Sequence, residues 1–250
     1  MFLFNYLTGF IYQCLLFFYN LFGGNLGLSI VAITIAIKVV LIPLVVPTIK
    51  SAKKMQDLKP QLDKLKQKHT DKAALQQAQL DLYKQNGVNP AAGCLPQIVQ
   101  IIILIALYQV FMNFLKQPMI NGSQVNFSFL YFNLTKPDPY YILPILAGLS
   151  QFVFSLMMTS GLEAHVQNPK GKDNKKKEED SLEMAQSMQT QMVYMMPLMT
   201  TLISLNFQSG LILYWVISTI FSIVQQYYFS GWGGLIPFLV KIKVLKPSLK

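Results

Sequence analysis

Apolar residues recur along the chain in blocks of roughly 20, the length a helix needs to cross a bilayer. The first full block, Leu26 to Val46, is interrupted chiefly by Thr34 and Lys38. The pattern predicts membrane spans at 26–48, 95–115 and 140–160, and a fifth at 210–229. Between the last two, residues 182–207 predict a helix that begins in water and continues into a fourth span. Two stretches carry the helical period with a polar face. Residues 1–22 place Asn5, Gly9, Tyr12, Gln13, Tyr19 and Asn20 near that period, which predicts an amphipathic helix lying in the extracytoplasmic interface, with a span as the alternative. Residues 49–88 repeat apolar positions at Met55, Leu58, Leu62 and Leu65 and again at Leu75, Ala78 and Leu82. Two facing helices would bury both stripes, giving a cytoplasmic hairpin.

The connections fit this scheme. Residues 116–139 read as an extracytoplasmic loop whose Phe127, Phe129, Tyr131 and Phe132 join Tyr140 and Tyr141 in an interfacial belt. Residues 161–181 are charged and low in complexity, so disorder is expected there. Residues 230–250 form a basic tail. The fold class is therefore an all-α polytopic membrane protein, with a five-helix transmembrane core, an N-terminal interfacial helix and a cytoplasmic helical hairpin.

Composition agrees: 52% of the residues are hydrophobic and 13% charged. The formal charge of +10 comes from 21 lysines, with no arginine, against 11 acids. Nine of those lysines fall in the hairpin, five in the low-complexity loop and four in the tail, against two in the segments between the other span ends. That bias puts the hairpin, loop and tail inside, the N-terminus outside and the C-terminus in the cytoplasm. The basicity thus marks topology before it marks nucleic acid.

Several chemistries are missing. Cys14 and Cys94 are too few for a disulfide framework and fall on opposite sides of the membrane in this topology. His69 and His165 are isolated in polar segments, which argues against a metal, and no cofactor is indicated. No Asp or Glu lies within a span, so a carboxylate proton relay has no parts. There is no Ser/His or paired-Asp arrangement at membrane depth, no phosphate-cradling glycine loop and no inverted-repeat pair of halves. The chain does not read as an enzyme.

Lys38 then stands out. A cation near the middle of a membrane helix costs roughly 2.5–3.5 kcal/mol on insertion scales. One reading is that it snorkels along its own stem to the headgroups. The other is a hydrated cavity, and candidate walls exist. Thr34 lies one turn before Lys38, Gln97 and Gln100 open span two, and Gln151 sits in span three. Trp215, Ser218, Ser222 and Gln225 form a polar stripe along span five. The methionines Met184, Met188, Met192, Met195 and Met199 line one face of the fourth helix, either as an adaptable surface or, more plainly, as flexible core filler.

At Asn89-Pro90-Ala91-Ala92-Gly93-Cys94-Leu95-Pro96, followed by Gln100 and Ala106-Leu107-Tyr108, the chain resembles the signature of the YidC/Oxa membrane protein insertases. KKMQDLKPQLDKLKQKH is similar to their cytoplasmic hairpin, and Pro137 to Phe152, Ser209 to Trp215 and Gln225-Gln226 resemble their later spans. The resemblance runs from about residue 5 to residue 230. It implies a hydrophilic groove open to cytoplasm and lipid, with Lys38 as its cation and Thr34, Gln151 and Trp215 as neighbours, and clients sliding along spans two and five. The implied partners are nascent membrane-protein clients, the lipid bilayer, the ribosome through the basic tail and loops, the Sec translocon and signal-recognition targeting factors. A monomer in a bacterial plasma membrane is expected. Lys38 replaces the family's usual arginine, Gln208 its proline in the turn before span five, and Thr219 a common asparagine. The long N-terminal periplasmic domain of some members has no counterpart in this sequence. Arginine holds its charge almost anywhere, whereas lysine holds it only where its surroundings stay wet. Hydration around Lys38 thus becomes a condition of function. The residues alone also admit an anion or small-solute channel using Lys38, and a chaperone for spans inserted by other machinery.

Overall fold

The computed structural model describes residues 2–68, 72–88, 95–115, 119–120, 123–158 and 181–241. The predicted low-complexity loop, the Asn89 to Cys94 half of the signature, His69, Lys116, His165 and the tail lysines from Lys243 onward lie outside the described residues. So do the side chains of Gln97, Met184, Met188 and Met192.

Ten helices carry the fold among the described residues: α1 Phe2–Leu21, α2 Leu26–Val40, α3 Ile42–Asp57, α4 Lys59–Lys68, α5 Lys72–Gln85, α6 Leu95–Leu115, α7 Ile142–Met158, α8 Ser181–Ser204, α9 Ser209–Ser230 and α10 Leu235–Lys241. By length and composition α9 suffices to cross a membrane, and α2 with α3 does so as a bent pair. Ile98–Phe114, Ile142–Met158 and Val193–Ser204 are shorter apolar helices.

The span expected over 26–48, near whose end Pro43 and Pro47 admit a kink, is broken at Leu41, where α3 departs from α2 by 65°. Pro43 explains the break, because it stands in the first turn of α3 and its ring nitrogen has no hydrogen with which to continue the ladder. Leu41 still closes α2 by donating its N–H to the Ile37 carbonyl at 3.0 Å. At the other end of α2, the Asn25 side chain caps the helix by accepting from the Leu28 N–H at 3.0 Å. Gly23 and Gly24, both with positive φ, supply the turn between α1 and α2 that a residue with a Cβ adopts only under strain.

α7 packs against α8 and α9, α9 against α2, and α1 against both α2 and α6. The main core joins Ile11 and Leu15 of α1, Ile30 and Ile33 of α2, Val110 and Phe114 of α6, and Ile212 and Tyr214 of α9. A second, smaller core gathers Leu156 and Met157 of α7, Val193 of α8 and Leu235 of α10. α10 is a difference from the expected plain tail: it folds back so that Phe238 meets Phe152 edge-on at 5.7 Å.

The 116–139 connection also holds more order than a loop. β1 (Met119–Ile120) pairs antiparallel with β2 (Ser123–Gln124), and β3 (Ser128–Phe129) with β4 (Phe132–Asn133). The second hairpin seats on the start of α2, where Phe129 occupies the space a Cβ on Gly27 would need. Its outgoing strand reaches α9, whose Gly210 N–H donates to the Leu134 carbonyl at 3.0 Å and whose Ser209 N–H donates to the Lys136 carbonyl at 2.8 Å. The hairpin thus ties α2 to α9 at one end of the bundle.

Candidate functional site

Where α2 ends, its last turn presents Lys38, half-buried, between α6 and α9. Its ammonium donates to Oε1 of Gln100 at 3.0 Å and to Oγ of Ser222 at 2.9 Å. Two of its three N–H donors are thereby engaged. Gln100 is a junction, because its Oε1 also accepts from the Ser218 hydroxyl at 3.2 Å and its Nε2 donates to the Tyr214 hydroxyl at 2.9 Å. Ser222 in turn donates to the Ser218 carbonyl at 3.0 Å. Five side chains from three helices therefore form one connected polar cluster inside an apolar bundle.

The cluster contains a full positive charge and no acid. Gln100, Ser218, Ser222 and Tyr214 offer it only neutral dipoles, and no salt bridge to Lys38 is formed among the described residues. Dipoles can hold a cation in place without cancelling it. A carboxylate arriving from elsewhere would gain the stronger, charge-assisted hydrogen bond.

Not every residue singled out from the sequence joins this cluster. Thr34 is fully buried, and its hydroxyl donates back to the Ile30 carbonyl of its own helix at 2.6 Å. It thus completes α2 instead of reaching Lys38. Gln151 is buried on α7 and is not a hydrogen-bond partner of the Lys38 amine, which donates to Gln100 and Ser222. Trp215 is half-buried, and it is its backbone carbonyl that serves a neighbour, accepting from Thr219 at 2.9 Å. Gln97 lies on α6 one turn before Gln100, its side chain outside the described set. Gln225 continues the stripe of α9 beyond Ser222, buried, with its Nε2 unpaired among the described residues.

Tyr214 was missed by the sequence reading, although a signal was there. It precedes Ser218 by four residues and Ser222 by eight, so the helical repeat sets all three on one face of α9. Trp215 lies further round. Gln226 was noted only as part of a motif, yet it is 0% exposed with both amide atoms unpaired among the described residues. With the Ser230 hydroxyl, also buried and unpaired, it extends the polar stripe to the end of α9.

A separate cavity of about 370 Å³ opens between α1 and α6, with Asn5, Gly9, Gln13 and Asn113 in its wall. It shares no residue with the Lys38 cluster. Cys14 is a free, half-buried thiol on α1, and no group of metal-ligating side chains occurs among the described residues.

Comparison with known proteins adds to this geometry. The model of the family described as 60Kd inner membrane protein matches residues 17–245. The chain is 39% identical over 225 residues to the membrane protein insertase YidC 2 of Bacillus anthracis, covering 88% of this chain and 77% of that one. It is 37% identical over 217 residues to the membrane protein insertase MisCA of Bacillus subtilis, covering 85% and 73%. Over 234 residues it is 36% identical to the membrane protein insertase YidC of Fusobacterium nucleatum, covering 92% of this chain and the whole of the relative. Among solved structures, the crystal structure of an active YidC insertase with its first transmembrane domain resolved superposes with a TM-score of 0.61 at 23% identity. That likeness covers 90% of this chain and 46% of the solved one, so the shared fold spans about half the length of that protein.

Proposed function

This chain belongs to the YidC/Oxa family, the family described as 60Kd inner membrane protein, and from that membership we propose that it inserts client transmembrane segments past the polar cluster at Lys38. The relatives it matches are named membrane protein insertases, and the family works as a non-enzymatic insertase and chaperone in the bacterial membrane. The single observation that carries the reading is the unneutralised ammonium of Lys38 held by Gln100 and Ser222.

A nascent client must move a short hydrophilic tail across hydrocarbon. The groove shortens that path, and Lys38 attracts the tail's carboxylates. Two opposite charges 4 Å apart attract by about 4 kcal/mol at an effective dielectric near 20, against about 1 kcal/mol in water. Once the tail has crossed, the apolar segment partitions into lipid, favoured by about 25 cal/mol per Å² of apolar surface removed from water. α6 and α9, which meet at the Lys38 cluster, are the surfaces along which it moves. Nε2 of Gln225 and both amide atoms of Gln226, buried and unpaired among the described residues, offer hydrogen bonds to water or to client backbone on the approach. In this reading the N-terminus is outside, the hairpin, loop and tail are cytoplasmic, and the protein works as a monomer. The basic tail and loops meet the ribosome, and the Sec translocon and signal-recognition factors are further partners.

The test reconstitutes the purified protein alone in liposomes and scores protease protection of a client with an acidic tail. Lys38→Ala is expected to lower insertion roughly tenfold, the equivalent of about 1.4 kcal/mol, Lys38→Glu to lower it further and Lys38→Arg to retain it. Failure of the parent protein to insert any client would overturn the insertase reading itself. Lys38→Glu performing like the parent would overturn only the role given to the charge. Solute leak without client insertion would favour a channel.

A further inference from the structure

The tip of the β3–β4 hairpin bears no relation to the Lys38 cluster. Its two-residue turn consists of Leu130 and Tyr131, as the pairing of Phe129 with Phe132 requires. Leu130 has φ +51°, a left-handed conformation that glycine and asparagine accept and leucine adopts under strain. Its side chain is 82% exposed, the most exposed large apolar residue among the described ones.

The strained residue is firmly held. Phe132 is buried and meets Phe129 and Tyr131 edge-on at 5.8 and 5.0 Å. The Tyr131 hydroxyl donates to Oδ2 of Asp138 at 2.9 Å, and its ring lies 5.7 Å from that of Tyr140. A leucine presented outward on so fixed a support has a medium to face.

We propose that Leu130 and the tyrosine rim beside it insert into the bilayer leaflet at the hairpin end of the bundle, anchoring the cap that ties α2 to α9. Continuity identifies the occupant. The rim leads from Tyr131 through Tyr140 and Tyr141 into the exposed face of α7, where Ile142, Ile145 and Leu149 follow one another at helical spacing. That face has the composition and exposure of a lipid contact, and tyrosines concentrate where such a face meets water. No charged residue lies between Val125 and Asn133. A two-residue tip is also far too small for a stable protein interface, which buries about 800 Å² on each side.

The experiment places a polarity-sensitive fluorophore on Leu130→Cys, in a chain carrying Cys14→Ser and Cys94→Ser, with the same label on Lys136→Cys as the comparison. The full-length protein is reconstituted in phosphatidylcholine and phosphatidylglycerol vesicles, with and without lipids carrying a nitroxide just below the headgroup. Nitroxide quenching is expected to be at least about twofold stronger at 130 than at 136, as the depth of an interfacial side chain demands, and iodide quenching weaker. Iodide access at 130 equal to that at 136, with no nitroxide quenching, overturns the proposal and leaves a tip in water or against a protein. Should labelling at 130 disturb the turn, Tyr140→Cys, 68% exposed on the same rim, gives the same reading.

Discussion

The two ends of α9 treat buried polar groups in opposite ways. At the hairpin end the side chains have local partners with one exception, Oε1 of Gln208, which is buried and unpaired among the described residues. The Ser209 hydroxyl donates to the Lys136 carbonyl at 2.8 Å, and Asn133 Oδ1 accepts from the amide and the hydroxyl of Thr135 at 2.9 and 2.7 Å. Asp138, 3% exposed, accepts from the Leu143 N–H, the Tyr140 N–H and the Tyr131 hydroxyl. At the other end Gln225, Gln226 and Ser230 are equally buried, yet each has a polar atom unpaired among the described residues. Buried polar groups left without partners cost stability, and the usual fold avoids them. One end of the helix is therefore finished by its own chain everywhere but at Gln208. The other is built for something that the described residues do not supply, which in the proposed function is water and client backbone.

The comparison breaks first at Asp138 if it is wrong. Asp138→Ala removes one acceptor from three donors, including the buried Leu143 N–H at 2.7 Å that begins α7. An orphaned buried N–H costs about 1–3 kcal/mol, and the Tyr140 N–H and Tyr131 hydroxyl lose their acceptor with it, so a destabilisation of about 3 kcal/mol is expected on unfolding in detergent. Asp138→Asn keeps one oxygen and should lose less. An Asp138→Ala protein that unfolds with the parent would mean that the hairpin end is not held by these bonds.

The opposite sign is expected at the other end. Gln226→Leu removes two unpaired amide atoms from a site with 0% exposure and should stabilise the protein by about 1–2 kcal/mol. In the same variant insertion of an acidic-tailed client should slow, because the amide is lost where the tail approaches. Stability and activity moving in opposite directions would sharpen the contrast between the ends. A destabilised Gln226→Leu would remove it.

How far the sequence alone reached can be judged on particular residues. The apolar helices were legible because their length is a bulk property that survives any packing. Pro43 and Pro47 admitted a kink, but its size, 65° between α2 and α3, is a value that no residue pattern gives. Lys38 was legible as an anomaly, whereas its bond to Gln100, 62 residues away, depends on the axial register of two helices that no periodicity encodes. Thr34 misled for a local reason: a threonine hydroxyl in a helix bonds the carbonyl one turn back as readily as a neighbour. The β3–β4 hairpin stayed hidden because its turn is Leu130-Tyr131, without the glycine or asparagine that signals such turns. α10 was hidden by its brevity.

The smallest effect tests the finished end by pH. Burial of the phenol, its hydrogen bond to Asp138 and the carboxylate's charge push the Tyr131 hydroxyl up to about 12. Its ordinary value is 10.0, so the folded protein favours the neutral phenol more than the unfolded chain does. The resulting stabilisation is fully present below pH 10, declines as the unfolded chain begins to ionise, and is gone once pH passes the folded value near 12. The ring is 41% exposed, so solvent screening keeps the effect below about 1 kcal/mol. Tyr131→Phe should therefore lower stability slightly at neutral pH and flatten this tyrosine's share of the decline above pH 10. The difference between parent and variant, followed from pH 8 to pH 12 by unfolding in detergent, isolates that share from the other tyrosines. A difference that does not change with pH would show that the phenol is held by packing alone, and Asp138 would then serve α7 without serving the hairpin.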